Sequence, residues 1–175
     1  DRYCNVKGNR GLTCVGIIET SHIALHTWDE VDPNLLQLDV YSCGEFNVSD
    51  IVDHISPFGP VKVEYKFIDR ENNLTTLDLS GLTLLSNVDA SSSEFLSSLT
   101  LTGCSGLSNL DFSYCNISSI DLSSCSSLVY VDCNINPLLT SLNLSGLTLL
   151  QSLNCPDCSV TSLDLSSSPL LMDLY

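Results

Sequence analysis

The chain has 175 residues, with six Lys+Arg against 21 Asp+Glu and a net charge of −15. That balance repels a polyanion and excludes a free-standing nucleic-acid binder. No apolar run reaches the roughly 18 residues of a membrane-spanning helix, and no charged-then-apolar leader is visible, so a cytoplasmic chain with no membrane partner is expected.

All six cations (Arg2, Lys7, Arg10, Lys62, Lys66, Arg70) and all three histidines fall in the first 70 residues. Residues 73–175 hold eight Asp and one Glu, with no Lys, Arg or His, and are crowded with Leu and Ser. A shift this sharp marks two units, expected at 1–71 and 72–175. In the first unit, Leu12–Glu19 is apolar and β-branched. His22–Trp28 alternates, with Ile23 and Leu25 on one face and His22, Ala24 and His26 on the other. Leu36–Ser42 alternates again. Val48–Ile55 has helical spacing with Ser49 as a candidate N-cap, and Pro57 and Gly59-Pro60 stop it. Val61–Ile68 alternates cleanly. The expected class is α+β, a partial two-layer α/β sandwich of antiparallel sheet plus helix. One short helix covers little of such a sheet, so an N-terminal part of this unit is expected to be missing.

Ser21 follows Glu19-Thr20, with His22 and His26 on the strand it opens and Cys43-Gly44 after the next. A hydroxyl, two imidazoles and a thiol near one hairpin fit nucleophile-and-base chemistry. They also fit ordinary hairpin residues, the reading that spacing alone favours over catalysis.

The second unit is a repeat. Leu77, Val88, Leu99, Leu110, Ile120, Val131, Leu142, Leu153, Leu163 and Leu174 recur at steps of 10 or 11. An apolar residue stands three places before each, and another two places after most. Apolar residues at i and i+2 around a polar one predict short strands with one face buried, and the Ser, Gly, Asn and Pro between them turn the chain. A solenoid with two short strands per coil of 21–22 residues is expected. Asp78, Asp121 and Asp164 recur on one side, and Asp89, Asp111 and Asp132 on the other. Stacked carboxylates suit Ca²⁺, but Thr100, Asn143 and Asn154 interrupt them, which favours a solvated outer face and no metal. Cys133 and Cys155 fall at inward positions. Cys155-Pro-Asp-Cys158 has redox-motif spacing, yet an inward Cys155 and the lack of a βαβ setting argue against that role. An odd count of nine cysteines without a framework fits a reducing compartment. The four Asn-x-Ser/Thr matches carry no weight in so Ser-rich a chain.

Segments such as Leu139–Gly146 (LTSLNLSG) resemble bacterial leucine-rich repeats, so a leucine-rich-repeat β-solenoid is implied, with its partner unknown. In the first unit, Thr20–Glu30 (TSHIALHTWDE) and Leu38–Glu45 (LDVYSCGE) resemble the prokaryotic S-adenosylmethionine decarboxylase proenzyme, whose E-S-H-x-x-I-H-T-W-P-E and D-x-F/Y-T-C-G runs they match in order and spacing. Gly11–Thr13 and Val61–Glu71 extend the resemblance to residues 9–71. It implies cleavage between Thr20 and Ser21, with Ser21 becoming a pyruvoyl group that forms a Schiff base with S-adenosylmethionine and draws electrons as CO₂ leaves. His26 aligns with the residue that assists processing, Thr13 with a hydroxyl residue linked to the same step, and Cys43 with the proton donor. The product would serve spermidine synthesis, and cleaved chains would associate. The family places Glu directly before the cleaved Ser; here Glu19 stands one place earlier. The alternative implied by the repeat is a non-catalytic binding or structural protein.

Overall fold

The computed structural model describes residues 74–175 and, ahead of them, the backbone of strands at 2–4, 11–18, 21–28, 35–41 and 63–66. The chain divides into two compact units, Asp1–Phe46 and Asn47–Tyr175.

In the first unit, β1 (Arg2–Cys4), β2 (Gly11–Ile18), β3 (Ser21–Trp28) and β4 (Leu35–Tyr41) form a sheet in the order β1-β2-β3-β4. Every pairing is antiparallel. The three strands expected over Leu12–Glu19, His22–Trp28 and Leu36–Ser42 are present, within a residue or two of their expected ends. The strand β1 adds to them, with Tyr3 opposite Leu12. The helix expected over Val48–Ile55 lies outside the described residues, and no helix occurs among those described.

The second unit is a parallel β-solenoid. It comprises β5 (Val63–Lys66), β6 (Thr76–Asp78), β7 (Leu85–Asp89), β8 (Ser98–Thr100), β9 (Asn109–Asp111), β10 (Ser119–Asp121), β11 (Tyr130–Asp132), β12 (Ser141–Asn143), β13 (Ser152–Asn154) and β14 (Asp173–Leu174). One side of the coil builds a six-stranded sheet in the order β14-β13-β11-β9-β7-β5. The other carries the pairs β6-β8 and β10-β12. The expected strand over Val61–Ile68 is thus found as β5, and its partner is β7 of the repeat, in parallel pairing.

Register follows the repeat. Leu110 pairs with Val131 and Val131 with Leu153, and Ile120 pairs with Leu142. Two strands are used per coil, as the spacing predicts. The three apolar columns point inward and fill the core; Leu85, Leu96, Leu110, Phe112, Ile117, Leu128 and Leu139 are all within 2% of complete burial. Packing loosens in the last coil, where Leu163 and Leu165 are half-buried and Leu174 is 50% exposed.

A further inward column is not apolar throughout. Three residues after each third-column residue stand Leu82, Ser93, Cys104, Cys115, Cys125, Asn136, Leu147, Cys158 and Ser168. All but the half-exposed Cys158 are buried. These residues sit at the coil corner. Their carbonyls accept from the residue three ahead, as in Leu107 N–H to Cys104 O at 3.1 Å and Leu139 N–H to Asn136 O at 2.9 Å. Where the repeat shortens by a residue, after Cys115 and Cys158, that tight turn is skipped.

Between strand and corner the backbone enters the left-handed region. Gly81, Gly103 and Gly146 have φ of 78°, 82° and 78°, and Ser92, Tyr114, Ile135 and Asp157 take φ of 52° to 60° at matching positions. This conformation costs a side-chain-bearing residue roughly 1 kcal/mol. It aims an N–H along the stack: Gly81 donates to Thr102 O at 2.7 Å, Tyr114 to Asn134 O at 3.0 Å and Ile135 to Pro156 O at 3.0 Å. Inter-coil hydrogen bonding therefore continues past the strand ends, and the buried peptide groups are satisfied.

Candidate active site

The β2–β3 ladder runs from Thr13 opposite His26 to Ile18 opposite Ser21. Two residues, Glu19 and Thr20, join the strands. The two residues connected with processing by resemblance, Thr13 and His26, thus hold facing positions on neighbouring strands. His26 also faces Gln37 on β4, and His22 faces Tyr41. Ser21 opens β3 and differs in strand parity from His22 and His26. Thr20 and Cys43 lie outside the described residues. The bond between Thr20 and Ser21 adjoins the last register pair of β2 with β3, Ile18 opposite Ser21.

The acidic columns have a local job. Asp78, Asp89, Asp111, Asp121 and Asp132 each end a strand, and they and Asp164 accept hydrogen bonds from the residue two ahead. Asp78 Oδ1 accepts from Ser80 N–H at 2.9 Å and Ser80 Oγ–H at 2.6 Å. Asp111 does the same with Ser113, and Asp121 and Asp164 accept from the N–H groups of Ser123 and Ser166. The pattern is the Asx turn, a side chain standing in for a backbone carbonyl. The hydroxyl and backbone N–H of Ser80 hold the Asp78 carboxyl below its usual value, and the backbone N–H and hydroxyl of Ser123 do so for Asp121. The outward carboxylates are therefore turn-formers as well as a solvated face.

Two of the residues that interrupt the columns, Asn143 and Asn154, are donors to them. Asn143 Nδ2 donates to Asp121 Oδ1 at 2.8 Å, and Asn154 Nδ2 to Asp132 Oδ2 at 2.9 Å. On one side the order is Asp78, Thr100, Asp121, Asn143, Asp164, so no two carboxylates are neighbours. On the other, Asp89, Asp111 and Asp132 are consecutive. An open cleft of ≈ 290 Å³ lies there, lined by Asn87, Asp89, Asn109, Asp111 and Tyr130 with Val88 and Leu110. Tyr130 donates to Asp132 Oδ2 at 3.0 Å. Among the described residues no group of three or more His, Cys, Asp or Glu could hold a metal ion.

The cysteines are ordered too. Cys104, Cys115, Cys125 and Cys158 occupy the corner column, and each thiol lies 3.0–3.6 Å from a third-column carbonyl of the preceding coil: Leu79, Ala90, Leu101 and Cys133. Asn136 takes the same place with its amide, donating to Phe112 O at 2.9 Å and Cys133 O at 3.0 Å while accepting from Ile117 N–H at 3.2 Å. Desolvation by burial pushes the Cys115 and Cys125 thiols up to about 11. Cys133 is fully buried, as its inward position predicts. Cys155 is not: the loosened last coil leaves it half-exposed.

The family described as S-adenosylmethionine decarboxylase matches residues 3–71. That stretch runs past the division at Phe46 and takes in β5. The S-adenosylmethionine decarboxylase proenzyme of Pyrobaculum islandicum is 42% identical over 64 residues, covering 35% of this chain and 50% of its own length. That of Methanococcus maripaludis strain C5 is 32% identical over 62 residues, 35% of this chain and 43% of its own. The chain thus spans half or less of these curated relatives. No solved structure matches it. No helix among the described residues is long and apolar enough to cross a membrane.

Proposed function

We propose that residues 1–71 are a segment of a self-processing S-adenosylmethionine decarboxylase and that 72–175 are an appended leucine-rich-repeat solenoid. The observation that carries the reading is the family match over residues 3–71, with Thr13 opposite His26 and Ser21 at the start of β3. In processing, the Ser21 hydroxyl attacks the Thr20 carbonyl carbon. The peptide C–N bond breaks, and an ester forms as the acyl group moves from N to O. His26 and Thr13 move or hold the proton of this step. β-Elimination releases the Thr20 carboxylate and leaves dehydroalanine, which loses ammonia on hydrolysis to give pyruvoyl.

A pyruvoyl group has no N–H, and position 21 suits it: a first strand residue beside a two-residue connection has the least backbone pairing to lose. The group supplies an electron sink for loss of CO₂ from S-adenosylmethionine. Cys43 is the proton donor, a role for a thiol whose pKa lies near the working pH. In this reading the chain works in the cytoplasm, supplies an aminopropyl donor to spermidine synthesis, and associates with other cleaved chains.

Intact-mass measurement of the purified chain under reducing, neutral conditions tests it. The expected result is a 1–20 peptide plus a 21–175 chain with a pyruvoyl-blocked N-terminus, and a single chain for Ser21→Ala. A wild-type chain that stays whole overturns the reading. A second reading, a binding or structural protein working through its solenoid, is supported by the continuous buried core of 77–153 and by the half-length coverage of the relatives. It expects an uncut chain whose shortened form, residues 47–175, folds alone.

A further inference from the structure

Six free cysteines lie among the described residues. Cys104, Cys115, Cys125 and Cys133 are sealed in the core, with at most 2% exposure. Cys155 and Cys158 reach solvent, flanking the Pro156-Asp157 turn in the loosened last coil. Each corner thiol faces a third-column residue of the preceding coil. For Cys104, Cys115 and Cys125 that residue is Leu79, Ala90 or Leu101, but for Cys158 it is another cysteine. Cys158 Sγ lies 3.1 Å from the Cys133 carbonyl oxygen, which sets the Cys158 thiol directly against the Cys133 residue of the coil before. Cys155 Sγ is turned to the Tyr175 carbonyl at 3.4 Å.

We propose that Cys133 and Cys158 form a reversible dithiol–disulfide pair, with Cys158 as the sulfur that meets the oxidant. A hydroperoxide supplies the oxidising equivalents. The Cys158 sulfur attacks the peroxide oxygen, the O–O bond breaks, and a sulfenic acid forms as water or an alcohol leaves. The Cys133 sulfur then displaces hydroxide from that sulfenic acid, which departs as water with the Cys133 proton, and the S–S bond closes. Two thiols lose two hydrogens and two electrons, and the peroxide gains them. Exposure assigns the order. Burial pushes the Cys133 thiol far up, so it is inert toward solvent oxidants and reacts only with a neighbour already activated. The link replaces a thiol–carbonyl hydrogen bond with a covalent tie between successive coils.

The test uses the full 175-residue chain, reduced and then treated with hydrogen peroxide, trapped with a thiol alkylator and cut by a protease that cleaves before Asp. That cleavage separates a fragment 132–156, holding Cys133 and Cys155, from a fragment 157–163, holding Cys158. The expected product is these fragments linked, two hydrogens lighter, separable by dithiothreitol, with fragment-ion sequencing placing the link on Cys133. The link persists in Cys155→Ser and is absent in Cys158→Ser. The oxidised chain melts at least about 5 °C higher than the reduced one, because the tie closes a loop in the unfolded state. Absence of the link in the wild-type chain, or a link placed on Cys155, overturns the pairing.

Discussion

Four donors converge on the Asp132 carboxylate: Asn134 N–H and Nδ2 on Oδ1, and Asn154 Nδ2 and Tyr130 OH on Oδ2. Burial, at 8% exposure, pushes this carboxyl up, and the hydrogen bonds together outweigh it and bring it below the usual 3.8. A carboxyl depressed in the folded state contributes stability that is complete above the unfolded value and disappears as pH falls through the folded one. Asp78 and Asp121 act in the same direction. The urea midpoint of the solenoid is therefore expected to be flat from about pH 7 to about pH 5 and to fall below about pH 4, with a shallower fall in Asp132→Asn. Gly106 makes a steric demand of its own. A Cβ there runs into the Thr83 carbonyl oxygen, and a backbone atom cannot swing aside. Gly106→Ala is expected to destabilise by about 1–3 kcal/mol in chemical denaturation. The sequence shows the Asp columns but not their use: hydropathy marks a carboxylate as outward, whereas the Asx turn depends on the Ser or Asn two places later.

At the scale of elements, the corner column separates what pattern reading finds from what it misses. Three inward columns are legible because nearly all their members are aliphatic. The fourth mixes Leu, Ser, Cys and Asn, and no hydropathy period reveals it. Its signal at the Cys and Asn positions is the inter-coil hydrogen bond, a donor side chain under the preceding coil's carbonyl, whereas the buried Ser168 hydroxyl finds no partner. Asn136 is the strongest case, fully buried with both ends of its amide used. Asn136→Ala leaves buried N–H and C=O groups unpaired and is expected to cost about 2–4 kcal/mol in thermal or urea unfolding. Asn136→Cys restores the donor of Cys115 and Cys158 and is expected to lose less. In the first unit, an apolar β-branched run located β2 and alternation located β3 and β4, but β1 is three residues long and carries no period to read. The facing of Thr13 and His26 needs the hairpin register, which a two-residue connection fixes and composition does not show.

Across the whole molecule, the described strands of the second unit make their contacts with the coil before and the coil after. The composition break near residue 72 located the repeat's own chemistry, and the spacing of its apolar residues located its strands. Spacing did not show that β5 joins the repeat's sheet, because an alternating strand is legible as a strand and silent about its partner. Stability in such an array is close to a sum over coils and their interfaces. Removing residues 121–142 joins Ile120 to Asn143, the in-register equivalent of Asp121 one coil on. The shortened chain is expected to keep cooperative unfolding and its strand circular dichroism, with a lower midpoint. Removing 121–136, which is not a whole number of units, is expected to give an aggregating chain.

The in-register parallel ladder makes length a stepped variable. A slip of the copying machinery that duplicates or drops one coil leaves every surviving side chain in its column, so a descendant is longer or shorter without having to find a new fold. Beyond the one-residue shortening that skips a corner turn, slips of other sizes carry inward residues out of their columns. Inheritance thus moves along this protein in the same increments as its backbone.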